Sequence, residues 1–234
     1  MFRISIRDIF RRCEELRRKG FKTIDAHIGA PSHEPPIPVK KAMELIEDDI
    51  GRCYKPFVGV QELREEIARY MKRFVGIDAE PSRVIVTSSG AHALFITSLM
   101  FAGKTGLMPA PGFSHYYDQA ELLGIKLKYY DPTSPNLVDE VLSQLSSDVK
   151  FVMINYPHNP TGYYPNPDTL LTLYEELKRK NVVVVNDIVY HQIYYEERPT
   201  FPGDIFIDSF SKNLSLPGLR TVSYTHLRAH ETEA

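Results

Sequence analysis

The stretch Arg83–Tyr130, RVIVTSSGAHALFITSLMFAGKTGLMPAPGFSHYYDQAELLGIKLKYY, decides the fold. Short β-branched or apolar runs alternate in it with segments of helical period. Val84-Ile85-Val86 is followed by a helix near 91–101, Gly106-Leu107-Met108 by a helix near 115–123, and then comes Leu127–Tyr130. The same alternation continues downstream: a helix near 137–145, Phe151–Ile154, a helix near 168–180, Val182–Val185 and Ile205–Ile207. Strands separated by helices of this length need right-handed crossovers, which makes the sheet parallel and covers it on both faces. The almost wholly apolar Val182–Val185 reads as a strand buried on both sides. The expectation is an α/β fold, a three-layer α/β/α sandwich around a mostly parallel sheet.

Upstream of Arg83 the grammar is different. Ser5 with Asp8 three residues on has the form of a capping box, and Gly20 closes the amphipathic helix that follows. Arg11, Arg12, Arg17, Arg18 and Lys19 interleave with Ile6, Ile9, Phe10, Cys13 and Leu16 at helical spacing, so the basic cluster reads as a solvated helix face. A short apolar run at 24–28 leads into Gly29-Ala30-Pro31 and a proline-rich stretch through Pro38, the best linker in the chain. Two helical patterns follow, on Val39, Ala42, Met43, Ile46, Ile50 and on Val60, Leu63, Ile67, Met71, Phe74.

A net charge of −2 provides no global positive field, which argues against nucleic acid and anionic membrane as partners. Cys13 and Cys53 have neither metal-ligand spacing nor a disulfide framework, and the first ten residues lack the apolar core of a signal peptide. No apolar run approaches the ~20 residues that span a bilayer. A cytoplasmic setting is expected. Metal catalysis is not: of the eight histidines only His226 and His230 have helical ligand spacing, and no Gly-x-Ser-x-Gly elbow marks a serine nucleophile.

Each unusual polar or glycine-bearing cluster comes directly after a strand: Thr87–Gly90, Pro109–Phe113, Asn155–Gly162, Asp187–Tyr190 and Ser209–Arg220. Ligands of open α/β sheets sit beyond the carboxyl ends of strands, where such loops converge. Taken in order, these clusters resemble class I/II aminotransferases, fold-type-I pyridoxal-phosphate-dependent enzymes, from about Ile24 to Arg220. The most specific part is Ser209-Phe210-Ser211-Lys212 followed by Gly218-Leu219-Arg220; Asn155-Tyr156-Pro157-His158-Asn159-Pro160-Thr161-Gly162 carries the Asn-Pro-Thr-Gly signature.

The resemblance implies a role for each matched position. Lys212 would hold pyridoxal 5′-phosphate as a Schiff base, which needs an amine that is unprotonated at some stage, and Arg220 would bind the phosphate. Asp187 would face the pyridine nitrogen. Tyr190 and Asn159 would hydrogen-bond the ring hydroxyl, and the Asn159–Pro160 bond has the option of a cis form. Ser89, Gly90 and Ala91 form the phosphate cup at a helix start, joined by Ser209. Phe113 would stack on the ring. Tyr54 would reach the phosphate of a neighbouring subunit in a homodimer, and Gly29 would lie in the substrate-side loop with Asn159. His158 receives no role.

The implied organisation is an N-terminal segment of a small domain at 1–35, a cofactor-binding large domain at 36–222, and a tail at 223–234. After Arg220 the residues depart from the family pattern: Thr221-Val222-Ser223 leads into Tyr224–Ala234, which has no apolar period and reads as adapter-like sequence. The expectation is therefore a fragment, without the part that carries the family's carboxylate-gripping arginine, and inactive as it stands. The implied reaction is amino transfer between an amino acid and a 2-oxo acid. A lyase, decarboxylase or synthase on the same site stays open at this point, as does a non-catalytic cofactor-binding sensor domain, because fold and cofactor site do not separate these outcomes.

Overall fold

A computed structural model describes residues 6–24, 29, 31, 33–44, 54–195, 199–216 and 222–226, with the backbone alone at 6, 7, 40, 42–44 and 222–226. Ser5, Ala30, Ile46, Ile50, Cys53, Arg220 and the end of the tail from Leu227 lie outside the described residues, as does most of the run at 24–28. The chain forms two compact units, Met1–Glu34 and Pro35–Ala234.

The first unit holds α1 (Ile6–Arg18). Its arginines face solvent and make exposed i,i+3 pairs: Asp8 with Arg11, Arg12 with Glu15, Glu14 with Arg17. Pairs of this kind contribute only a few tenths of a kcal/mol each. Ile9 and Phe10 are exposed, while Cys13 and Leu16 are half-buried.

In the second unit the helical elements are α2 (Ile37–Glu44), α3 (Gln61–Tyr70) with a π-helical extension at Met71–Val75, α4 (Gly90–Leu99), α5 (Ser114–Leu122), α6 (Leu137–Ser143), α7 (Pro167–Arg179) and α8 (Phe210–Asn213). The strands are β1 (Val84–Thr87), β2 (Thr105–Pro109), β3 (Lys126–Tyr130), β4 (Val149–Ile154), β5 (Val183–Asp187), β6 (Ile205–Ser209) and β7 (Val222–His226). They make one sheet in the order β1-β7-β6-β5-β4-β2-β3. Every pairing from β6 across to β3 is parallel, and β7 runs antiparallel to both β6 and β1. β1 therefore points the same way as β2 to β6, and six strands deliver their carboxyl ends to one edge.

β7 corrects one expectation. Residues 223–226, which the sequence sets apart as a tail without strand period, belong to the sheet. Backbone ladders on both sides hold them, Val84–Thr87 on one and Ile205–Ser209 on the other, and that pairing needs no apolar alternation.

The strand alternation sorts side chains into two cores. Met108, Phe151, Met153 and Val185 pack with Ala93 and Leu94 of α4 and Tyr116 and Ala120 of α5. Their strand neighbours Leu107, Val152, Ile154 and Val184 pack on the other face with Leu137 and Val141 of α6 and Leu170, Leu173 and Leu177 of α7. The three-layer arrangement follows from that period of two. Each such side chain taken from water contributes about 1.5–3 kcal/mol. A third cluster joins Ile67, Met71 and Val75 to Val84, Ile188, Phe201 and Phe206.

At Gly106 in β2, a methyl group would meet the Phe151 ring at 2.4 Å, so a larger residue there must displace that ring. Among the described residues no helix is long and apolar enough to cross a membrane.

Candidate active site

Polar side chains converge at the carboxyl edge of the sheet. Asp187 ends β5 and is 4 % exposed. Tyr116, on the first turn of α5 and 1 % exposed, donates a 2.6 Å hydrogen bond to its Oδ2. Burial pushes the Asp187 carboxyl up to about 6, and the Tyr116 hydrogen bond opposes that rise. Phe113, immediately before α5, packs edge-on to Tyr116 at 5.7 Å between centroids, and one of its faces is covered by the His115 ring at 4.6 Å.

The loop after β4 is tied to the end of β5 by one side chain. Asn155 is 1 % exposed; its Nδ2 donates to the Asp187 carbonyl at 2.7 Å, and its Oδ1 accepts the Asn159 N–H at 2.9 Å. Adjacent parallel strands β4 and β5 bring the two loops side by side. Asn159 Nδ2 then donates to Tyr190 Oη at 3.3 Å. The Asn159–Pro160 bond is cis, as are Tyr156–Pro157 and Ala110–Pro111. Burial, with the Asp187 carboxylate second, pushes the Tyr190 phenol up to about 12. Tyr190 thus keeps its proton at neutral pH.

Lys212 lies in α8, which starts as β6 ends. Its Nζ is 5.8 Å from the centroid of the Tyr190 ring, and burial holds its pKa below the ordinary lysine value. Ser209 caps α8 by accepting the Ser211 N–H at 3.2 Å. Ser89 caps α4 the same way, accepting the His92 N–H at 3.1 Å. The first α4 ladder bonds run from His92 and Ala93 to the Ser89 carbonyl, which leaves the amides of Gly90 and Ala91 ahead of the ladder at the helix start. Ala91 accepts from Gln119 Nε2 through its carbonyl at 2.9 Å. A methyl group built on Gly90 would stand 4.0 Å from Cβ of Ser209, so the β1 and β6 loops meet there in a small cradle.

Contacts therefore join Lys212, Tyr190, Asn159 and Asp187, with Phe113 reaching Asp187 through Tyr116, and Gly90 beside Ser209. Tyr54 is fully exposed. Gly29 lies in the first unit, and Arg220 falls outside the described residues. Sequence reading gave no role to Asn155 or Tyr116. Asn155 opens the segment that carries Asn-Pro-Thr-Gly, and Tyr116 follows Phe113, the residue before α5, by three positions; these are the local signals they offer.

A cavity of about 960 Å³ opens beside Asn159 and Tyr190 and is walled by Tyr163, Tyr164, Tyr194 and Tyr195.

Comparison with known proteins adds relatives. The family model for aminotransferase class I and II matches residues 22–225. The aspartate aminotransferase of Pyrococcus horikoshii is 28% identical over 232 residues, covering 93% of this chain and 58% of its own length. LL-diaminopimelate aminotransferase 2 of Nostoc sp. is 31% identical over 232 residues, covering 91% of this chain and 59% of its own. Among solved structures, alanine aminotransferase from Pyrococcus furiosus superposes with a TM-score of 0.85 at 25% identity, covering 97% of this chain and 62% of that one. Aspartate aminotransferase from Thermus thermophilus with maleate gives 0.85 at 23% identity, a likeness of fold. The chain spans less than two thirds of the length of these relatives.

Proposed function

Because the chain belongs to the class I and II aminotransferases, we propose that it forms the cofactor site of an enzyme that moves an amino group between an amino acid and a 2-oxo acid. The observation that carries this reading is the contact chain from the Lys212 amine through Tyr190, Asn159 and Asn155 to the backbone carbonyl of Asp187, whose own carboxyl is buried. Aminotransferases of this fold use pyridoxal 5′-phosphate, and the residues present suit it. A buried carboxylate, a protonated phenol, a carboxamide and a half-buried amine lie at or just after strand ends along one edge of the sheet. Two capped helix starts meet in the cradle at Gly90 and Ser209.

When bound, pyridoxal phosphate supplies a carbonyl open to amine attack and an electron-poor ring that takes up the electron pair released at a substrate α-carbon. The protein's part is positional and electrostatic. Asp187, ionised above about pH 6, would hold a proton on a facing ring nitrogen. Tyr190 and Asn159 would direct their donors at a ring oxygen, Tyr190 with its proton retained. Phe113 would lie against the ring. Amides of Gly90 and Ala91, the hydroxyls of Ser89 and Ser209, and Arg220 would take the phosphate, as helix starts do. Burial brings Lys212 closer to its neutral form, so Nζ would hold the cofactor and later carry a proton to and from the α-carbon.

Tyr54, exposed in the single chain, would act on the phosphate of a second copy, giving a homodimer; Gly29 would lie on the substrate side. We place the enzyme in the cytoplasm, in keeping with its cysteine usage. The 234-residue chain, which spans less than two thirds of the length of its relatives, is expected to be inactive. Single-turnover incubation of a cofactor-loaded enzyme of this sequence at their full length, with an amino acid panel, tests the reaction. Pyridoxamine phosphate and the matching 2-oxo acid are expected; ammonia with the cofactor returned as pyridoxal phosphate would assign a lyase instead.

A further inference from the structure

A second polar network lies beneath α8, and the proposed chemistry makes no use of it. Tyr70 of α3 has its Oη 2.8 Å from Nε2 of His191. Nδ1 of His191 stands 3.0 Å from the Ile188 carbonyl, 3.1 Å from Nδ2 of Asn213 and 3.4 Å from Oδ1 of Asp208. Oδ1 of Asp208 accepts the Ser209 N–H and Nδ2 of Asn213, each at 2.7 Å. His191, Asp208 and Asn213 are all buried, and Oδ2 of Asp208 and Oδ1 of Asn213 have no hydrogen-bond partner.

The partners assign the protons. Nδ1 faces a carbonyl and a carboxylate, both acceptors, so it carries hydrogen; Nε2 then accepts from Tyr70, whose oxygen accepts in turn from Gln192 Nε2 at 2.8 Å. Asn213 directs its amide at Asp208, the shorter of its two contacts. Asp208 thus receives the Ser209 and Asn213 donors, while the His191 Nδ1 hydrogen goes to the Ile188 carbonyl with the Asp208 carboxylate close beside it.

Burying a carboxylate with an unpartnered oxygen costs several kcal/mol, and apolar side chains would fill the same space at less cost. What the network secures is α8. A four-residue helix does not sustain itself in water. Asp208 is anchored just before it and Asn213 at its last residue, both against His191, and Lys212 lies between the two anchors.

We propose that Tyr70, His191 and Asp208 seat α8 through Asn213 and so hold the Lys212 amine beside Tyr190, which makes His191, Asp208 and Asn213 positioning residues for that lysine. The proposal rests on Lys212 being the reactive amine. The titratable groups packed around the pair are Tyr70 on α3 and Asp187 at the end of β5, whose carboxyl Asp208 helps to push up.

The test reads Lys212 without cofactor. Acetylation of each lysine is followed by peptide mass spectrometry across pH, with exposed Lys150 and Lys180 as references. In the unaltered chain Lys212 should titrate below the ordinary lysine value. Asn213→Ala, which changes no charge, and Asp208→Ala should let α8 loosen and raise the Lys212 midpoint toward that of the exposed reference lysines. Asp208→Asn keeps an acceptor for Ser209 and Asn213 and should restore most of the original profile. A purely structural network would lower the melting temperature of folded Asn213→Ala and leave the Lys212 profile where it was; that result overturns the proposal, and Asn213→Ala decides the matter if Asp208→Ala does not fold. Borohydride reduction of the cofactor-loaded, unaltered chain runs alongside. Failure to label Lys212 there, with the acetylation shifts present, would fault the cofactor reading and leave the seating of α8 standing.

Discussion

Tyr116 donates its hydroxyl hydrogen to Asp187 across 71 residues of sequence, at 2.6 Å and with both side chains almost wholly buried. The bond is one of few compensations for a carboxylate at the bottom of the site. Burial raises the Asp187 pKa from 3.8 to about 6 in spite of it.

That rise is a stability statement. A raised carboxyl favours the folded chain below the unfolded pKa of about 3.9, and the advantage is lost as pH climbs through about 6. The ionised form therefore costs the cofactor-free chain about 3 kcal/mol at neutral pH. Asp187→Asn, which still accepts from Tyr116, should stabilise the cofactor-free chain by that order at pH 7.5 and by little near pH 4. Urea unfolding at both pH values measures it; equal effects at the two would contradict the account.

Asn155→Ala should be costly, because it strands both the Asn159 N–H and the Asp187 carbonyl. A loss of about 2–3 kcal/mol in denaturant unfolding is expected, with pyridoxal phosphate bound at least several-fold more weakly. Stability within about 0.5 kcal/mol of the unaltered chain would show that the loop after β4 is held by other means.

Gly106→Ala sets two effects against each other. Alanine in a strand interior usually gains about 0.5–1 kcal/mol over glycine, but here the methyl meets the Phe151 ring, which already stacks on Phe101 at 4.2 Å. Overpacking should win, at about 1–3 kcal/mol of destabilisation. Adding Phe151→Leu should recover part of it, and thermal unfolding of the single and double variants checks both signs.

Much of the fold is legible because it is local. The alternation that begins at Val84 marks β1 to β6 and α4 to α7 within a few residues, since each element carries its own period. The placement of Lys212, Asp187, Tyr190 and Asn159 is legible for a related reason: each lies at or just after a strand end, and parallel strands bring such positions to one edge. Other features depend on partners distant in sequence. Tyr116 meets Asp187, and Tyr70 meets His191, through packing that no spacing announces. β5 reaches Asp187, beyond the apolar run, because buried Asn186 finds the Pro202 carbonyl and Asp187 finds Tyr116. β7 looks like a tail because its place rests on backbone ladders to β1 and β6.

The central claim is that Lys212 is the amine on which the site is built. Loading the chain with pyridoxal phosphate, reducing with borohydride and mapping the product by peptide mass spectrometry tests it most directly. A pyridoxyl group on Nζ of Lys212, absent from Lys212→Ala, is the result predicted. A stable adduct on another lysine, with Lys212 unmodified, would contradict it.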